Sequence, residues 1–99
     1  MQTSIIGKLV AVAEPVKKEN YSSQLIEINV KEFDNSTGEL KNDMTFPITI
    51  FNKYINELNA ILLINKRVIC KCYLKSLPTE KDGKKYNNIF INAVKLNEI

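Results

Sequence analysis

A chain of 99 residues with 44% apolar and 25% charged side chains has the composition of a folded globular domain, long enough for one hydrophobic core and too short for two. One domain over residues 1–99 is therefore expected. No stretch approaches the ~20 apolar residues needed to span a bilayer, and the N-terminus has no charged region followed by an apolar run, so no membrane segment is expected and a cytoplasmic location is the default.

Residues Ser4–Glu14 read as a first strand, with Ile6, Val10 and Val12 on one face, Leu9, Ala11 and Ala13 on the other, and Gly7 placed to permit a bend or bulge. Pro15 ends it. A polar loop follows that contains Lys17, Lys18 and Tyr21. The second strand, Gln24–Phe33, alternates: Ile26, Ile28 and Val30 inward, Glu27, Asn29, Lys31 and Phe33 outward. The turn formers from Asp34 to Glu39 lead to a third strand, Met44–Phe51, with Met44, Phe46, Ile48 and Ile50 inward and Phe51 outward. Pro47 within it needs a position where no ladder amide is required.

After Phe51 the period changes. Asn52 can cap a helix that places Ile55, Leu58 and Leu62 on one side, two to three turns suited to plugging the end of a barrel. A fourth strand, Arg67–Leu77, sets Val68, Cys70, Cys72 and Leu74 on one face and Lys71, Tyr73 and Lys75 on the other. Pro78 terminates it, Asp82-Gly83 makes a turn, and Tyr86–Leu96 forms a fifth strand with Ile89, Ile91 and Ala93 inward. Three strands, a helix and two strands in this length predict a mainly β OB-fold, a five-stranded Greek-key barrel with one short helix between strands three and four.

Charge is unevenly spread. Residues 1–65 carry six basic and eight acidic side chains, whereas residues 66–99 carry eight basic and three acidic, a local net charge of +5. Attraction for a polyanion should concentrate on that last third. Lysines on exposed strands also discourage edge-to-edge aggregation, which is the plainer reading. The loops of an OB-fold that carry Lys17 and Lys18, and Lys81, Lys84 and Lys85, flank its ligand face, and this position favours binding. Phe51, Tyr73 and Tyr86 point outward in the predicted phase and can stack bases. Phe90 is open to packing against the helix or a partner subunit.

Cys70 and Cys72, alternate residues of one strand, are expected as reduced core side chains. A structural zinc site needs four ligands, and the chain has no histidine and no third cysteine. No metal and no cofactor is expected. An activated nucleophile beside a base and a glycine-rich phosphate loop are both missing from the sequence, so an enzyme is not expected.

The motifs Ile6-Gly-Lys-Leu, Gln24-Leu-Ile-Glu-Ile, Phe46-Pro-Ile-Thr-Ile-Phe-Asn-Lys, Arg67-Val-Ile-Cys-Lys-Cys-Tyr-Leu-Lys-Ser and Asp82-Gly-Lys-Lys-Tyr-Asn-Asn-Ile resemble those of small OB-fold single-stranded DNA-binding proteins of bacteriophages and Bacteroidetes-type bacteria. Related sequences often carry tryptophan where Phe51 stands; this chain has none, so its stacking platform is built from Phe and Tyr. The resemblance implies a non-catalytic protein that coats single-stranded DNA in replication, recombination or repair, in the host cytoplasm if the source is viral. The expected contacts are Lys17, Lys18, Lys31, Lys71, Lys75, Lys81, Lys84 and Lys85 on phosphates, and Phe51, Tyr73 and Tyr86 on bases. Several copies are expected to associate along a strand. RNA is a competing ligand, and a protein-interaction module built on Phe51, Tyr86 and Phe90 is the reading from another class.

Overall fold

The computed structural model describes residues 1–51 and 62–99. Its strands are β1 (Gln2–Val12), β2 (Val16–Lys17), β3 (Ser22–Phe33), β4 (Leu40–Phe51), β5 (Arg67–Lys81) and β6 (Lys84–Glu98). They form one sheet in the order β1-β5-β6-β4-β3-β2, and β1 also pairs with β3, which closes the sheet on itself. The five long strands make an OB-fold barrel, with the two-residue β2 added on the edge of β3.

Closure follows from the side-chain pattern. Leu9, Ile26, Ile28, Ile48, Ile50, Val68, Cys70, Cys72 and Ala93 alternate with polar neighbours, and all are within 1% of complete burial. Each aliphatic Val, Leu or Ile among them contributes ~2 kcal/mol of transfer free energy. Only a closed barrel puts all of these rows in contact at once.

Gly7 makes closure possible. A Cβ at this position would run into the carbonyl oxygen of Asn29 and lie 3.0 Å from Ile28 Cγ2, so a hydrogen is the only substituent that lets β1 cross β3 this closely. The bulge expected near Gly7 lies just beyond it, as a register shift between Leu9 and Ala11 against β3. It corrects the predicted phase of the first strand. Ile6 and Val10 are exposed, Leu9 is buried, and Val12, past the bulge, packs against the core.

The OB-fold with one short helix between strands three and four needs correction as well. Among the described residues of that connection no helix element is defined: Leu62 alone is helical, and residues 63–66 are not. They turn tightly, with Asn65 at φ 68°, and are pinned to β1: the Asn65 amide donates to the Leu9 carbonyl at 2.7 Å and the Leu9 amide to Lys66 at 3.0 Å. The rest of the predicted helix falls on residues 52–61, outside the described residues. A short edge strand at Val16–Lys17 was also not foreseen, because two residues carry no periodicity.

Strand ends differ for identifiable reasons. β4 begins at Leu40 because the turn before it is compact: Asp34 accepts hydrogen bonds from the Ser36 hydroxyl at 2.7 Å, the Ser36 amide at 2.8 Å and the Thr37 amide at 3.0 Å. Those bonds, the Ser36 hydroxyl first, hold the Asp34 carboxyl at about 2. β5 runs through Pro78 to Lys81 instead of ending at Leu77. Counting outward from the two-residue turn Asp82-Gly83, Pro78 and Asn87 form a non-hydrogen-bonded pair, so the missing amide lies on an edge that no described strand occupies. Asp82 and Gly83 both have positive φ, 54° and 75°, the I′ geometry that matches strand twist.

Two outcomes follow. Gly7→Ala should lower stability by about 2 kcal/mol, read as a lower urea midpoint with an unchanged slope. Burial, reinforced by Cys72, pushes the Cys70 thiol from 9.0 up to about 12, and burial also raises Cys72. The folded state thus keeps protons that the unfolded chain releases: stability is full below pH ~9 and declines from there towards pH 12. Urea midpoints at pH 8 and pH 10.5 should fall with pH in the native chain, and Cys70→Ala, less stable at both, should show a shallower fall.

Candidate nucleic-acid interface

β5 and β6 pair along their whole length, from Val68 opposite Glu98 to Lys81 opposite Lys84. β1 accompanies β5 only from Arg67 to Tyr73, and β4 touches β6 only at Thr49–Asn92 and Ile50–Ala93. The hairpin beyond Tyr73 and Asn92 is therefore a two-stranded ribbon projecting from the barrel, and the molecule is correspondingly elongated, 48 × 39 × 22 Å.

Register assigns the faces of this ribbon. Residues directly opposite share a face, so one face carries Lys71 with Lys95, Tyr73 with Asn92, Lys75 with Phe90, Leu77 with Asn88, Thr79 with Tyr86, and Lys81 with Lys84. From Lys71 to Lys81 this track is about 33 Å long. Tyr73, Phe90 and Tyr86 are each almost half exposed along it. Two cross-strand pairs, Lys71–Lys95 and Lys81–Lys84, set like charges side by side. Such pairs weaken a sheet, and a polyanion laid along the track removes the repulsion.

At the root of the ribbon a concavity of about 520 Å³ is lined by Asn20, Tyr21, Phe51, Tyr73, Asn92, Ala93 and Val94. Phe51 ends β4 pointing away from the core, and Tyr21 meets it edge-on, ring centroids 5.9 Å apart at 63°. The loop that presents Tyr21 is closed by the Lys18 amide donating to the Tyr21 carbonyl at 2.7 Å, which couples the basic pair Lys17-Lys18 to the aromatic pair. Val94 enters the concavity through a register shift in β5–β6 opposite Lys71 and Cys72, the way a bulge re-aims a side chain.

The residues singled out from the sequence are distributed as follows. Phe51 and Tyr73 share the concavity, with Lys17 and Lys18 on its Tyr21 loop. Lys71, Lys75, Lys81, Lys84 and Tyr86 occupy the track. Lys85 stands across from Glu80 on the opposite ribbon face. Lys31 opposes Asp43 and lines a separate hollow with Lys8, Arg67 and Phe33. Phe90 and Lys95 belong to the track and Asn92 to the concavity; the sequence marks none of the three as a nucleic-acid contact, and Phe90 only as part of a protein-interaction surface. The outward phase of Phe90 was legible, since its neighbours Ile89 and Ile91 alternate with it. Ile89, predicted inward, is 70% exposed because the ribbon has left the barrel there. Among the described residues no cluster of acids and thiols suits a metal ion.

No protein-family model and no curated protein matches the chain. Solved structures do. The small single-stranded DNA-binding protein from Streptomyces coelicolor superposes with TM-score 0.70 at 13% identity, over 100% of this chain and 94% of that one. The Plasmodium falciparum SSB complex with ssDNA gives 0.68 at 17%, over 99% and 93%. The wild-type single-stranded DNA binding protein from Thermus aquaticus gives 0.75 at 16%, over 99% of this chain and 49% of that chain, so this chain spans about half its length. What is shared is the fold. The likeness is to OB-fold single-stranded DNA-binding proteins in general.

The Tyr21–Phe51 contact has a testable role. If the two rings form one platform, Tyr21→Ala and Phe51→Ala should each weaken oligonucleotide binding by about 1–2 kcal/mol, and the double variant should lose less than the sum. Fluorescence anisotropy on the four proteins closes the cycle.

Proposed function

We propose that this chain is a non-catalytic single-stranded DNA-binding protein that holds an unpaired strand along the outer face of the β5–β6 ribbon and across the aromatic concavity at its root. The observation that supports this most is the alignment of rings and ammonium groups on one face: Tyr73, Phe90 and Tyr86 interleaved with Lys71, Lys95, Lys75, Lys81 and Lys84. A sequence-tolerant groove needs these two ingredients, cations that track phosphates and π-faces on which any base can stack. The likeness to solved single-stranded DNA-binding proteins points the same way. The narrower kinship with bacteriophage and Bacteroidetes-type proteins rests on the sequence motifs. Lys17 and Lys18 hold phosphates at the rim, and Lys31 contacts the strand only where it passes over the second hollow. One OB-fold covers about 4–16 nucleotides, so long strands are coated by several copies in contact.

The test is a titration of fluorescent oligo-dT of about 12 nucleotides, with duplex DNA and RNA of equal length in parallel, at several salt concentrations. With four to six phosphates neutralised, log affinity for oligo-dT should fall with log salt with a slope of about −3 to −4. Lys81→Glu with Lys84→Glu should flatten the slope and weaken binding at least tenfold, and Lys85→Glu should do much less. Salt-independent affinity, or equal loss from all three positions, overturns the mechanism.

A further inference from the structure

Asn92 stands at the floor of the aromatic concavity. Its register places it on the outward face between Tyr73 of β5 and Thr49 of β4, while the next residue, Ala93, is buried against the core. Strand spacing sets the Tyr73 row and the Phe51 row about 10 Å apart, with Asn92 on the strand between them. That span admits one planar base between rings.

The carboxamide of Asn92 is half-buried and makes no hydrogen bond to any described residue. Asn87 and Asn97 of β6 also lack a side-chain hydrogen bond to a described residue, but both are exposed to water; the remaining described strand asparagines are tied down. Asn29 donates to Asp43 Oδ1 at 2.7 Å, Thr45 Oγ1 at 3.1 Å and the Met44 carbonyl at 3.3 Å. Asn42 donates to Glu32 at 3.1 Å and Asn88 to Thr79 at 3.1 Å. An amide donor and acceptor left open among apolar rings is a group prepared for a polar ligand edge.

We propose that Asn92 reads the edge of one unpaired adenine held between Tyr73 and the Tyr21–Phe51 pair. The carboxamide oxygen accepts from the exocyclic N6 amino group and its amide donates to the adjacent ring nitrogen, the bidentate match between asparagine and adenine. A base in a single strand can offer its Watson–Crick or its Hoogsteen edge. The larger purine face also gains more from the rings on either side. This inference rests on the proposed single-strand binding and adds to it one position with a base preference, inside a track that is otherwise indifferent to sequence.

The experiment compares oligonucleotides of about 12 residues that differ at one atom group: oligo-deoxyadenosine against oligo-deoxynebularine, which keeps the purine stack and lacks the N6 amino group. The native chain should bind the adenine strand about fivefold more tightly, the lower end of a bidentate contact. Asn92→Leu should bind both strands equally, at about the nebularine affinity. Asn92→Asp, isosteric, keeps the oxygen that accepts from N6 and loses the amide that donates to the ring nitrogen present in both bases. It should weaken binding of both strands and keep the preference, which separates loss of the acceptor from a packing effect of leucine. Equal affinity of the native chain for the two strands, or a preference retained in Asn92→Leu, overturns the role of Asn92 while leaving single-strand binding intact. Failure to bind any oligonucleotide overturns both.

Discussion

The close crossing of β1 over β3 at Gly7 is the constraint on which the molecule depends. It turns a strongly twisted sheet into a barrel, and the barrel is what allows the inward rows of β1, β3, β4, β5 and β6 to be buried together. A methyl group there meets the backbone of Asn29, and backbone cannot move aside as a side-chain tip can. With the barrel shut, β1 is held along β5 as far as Tyr73 and β4 against β6 at Asn92. Past those rungs and the Met1–Leu74 bonds no described strand accompanies the hairpin.

The open face would be unfavourable without a partner. Like charges sit opposite one another at Lys71–Lys95 and Lys81–Lys84, and rings that could be buried are exposed between them. In a strand serving only to build the barrel, alternating charge signs across the ribbon would be more stable. The barrel core is apolar apart from Ser22 and Gln24 at its margin, and its two thiols are inert at neutral pH, because burial keeps them protonated. The two faces of the same strands thus differ in kind: inward rows hold the fold, outward rows of β4, β5 and β6 collect rings and cations.

Much of this was legible residue by residue. The alternation through Ile26, Ile28, Ile48, Ile50, Val68, Cys70 and Cys72 identified the buried face of three strands, and Asp82-Gly83 identified the hairpin turn. Where the reading failed, a non-local term decided. Pro78 reads locally as a strand end, yet an unpaired ribbon edge tolerates it. Val12 reads as sharing a face with Ile6 and Val10, yet the bulge between Leu9 and Ala11 brings it to the core while those two stay outward. Ile89 keeps the phase of a core residue but lies beyond the last barrel rung. Lys85 and Lys84 are neighbours in sequence and face opposite sides, which follows only once the turn is known to contain two residues.

By itself the sequence determined which faces are apolar, where the cations accumulate and which turns are sharp, because these depend on composition and on a period of two residues. Tertiary structure alone decided which outward residues meet. Tyr21 and Phe51 are thirty positions apart and touch because β3 and β4 pair in one register; Tyr73 and Asn92 share a rung because the hairpin is tight. Pairing register and barrel closure are properties of several strands at once, and no local pattern encodes a distance between two of them.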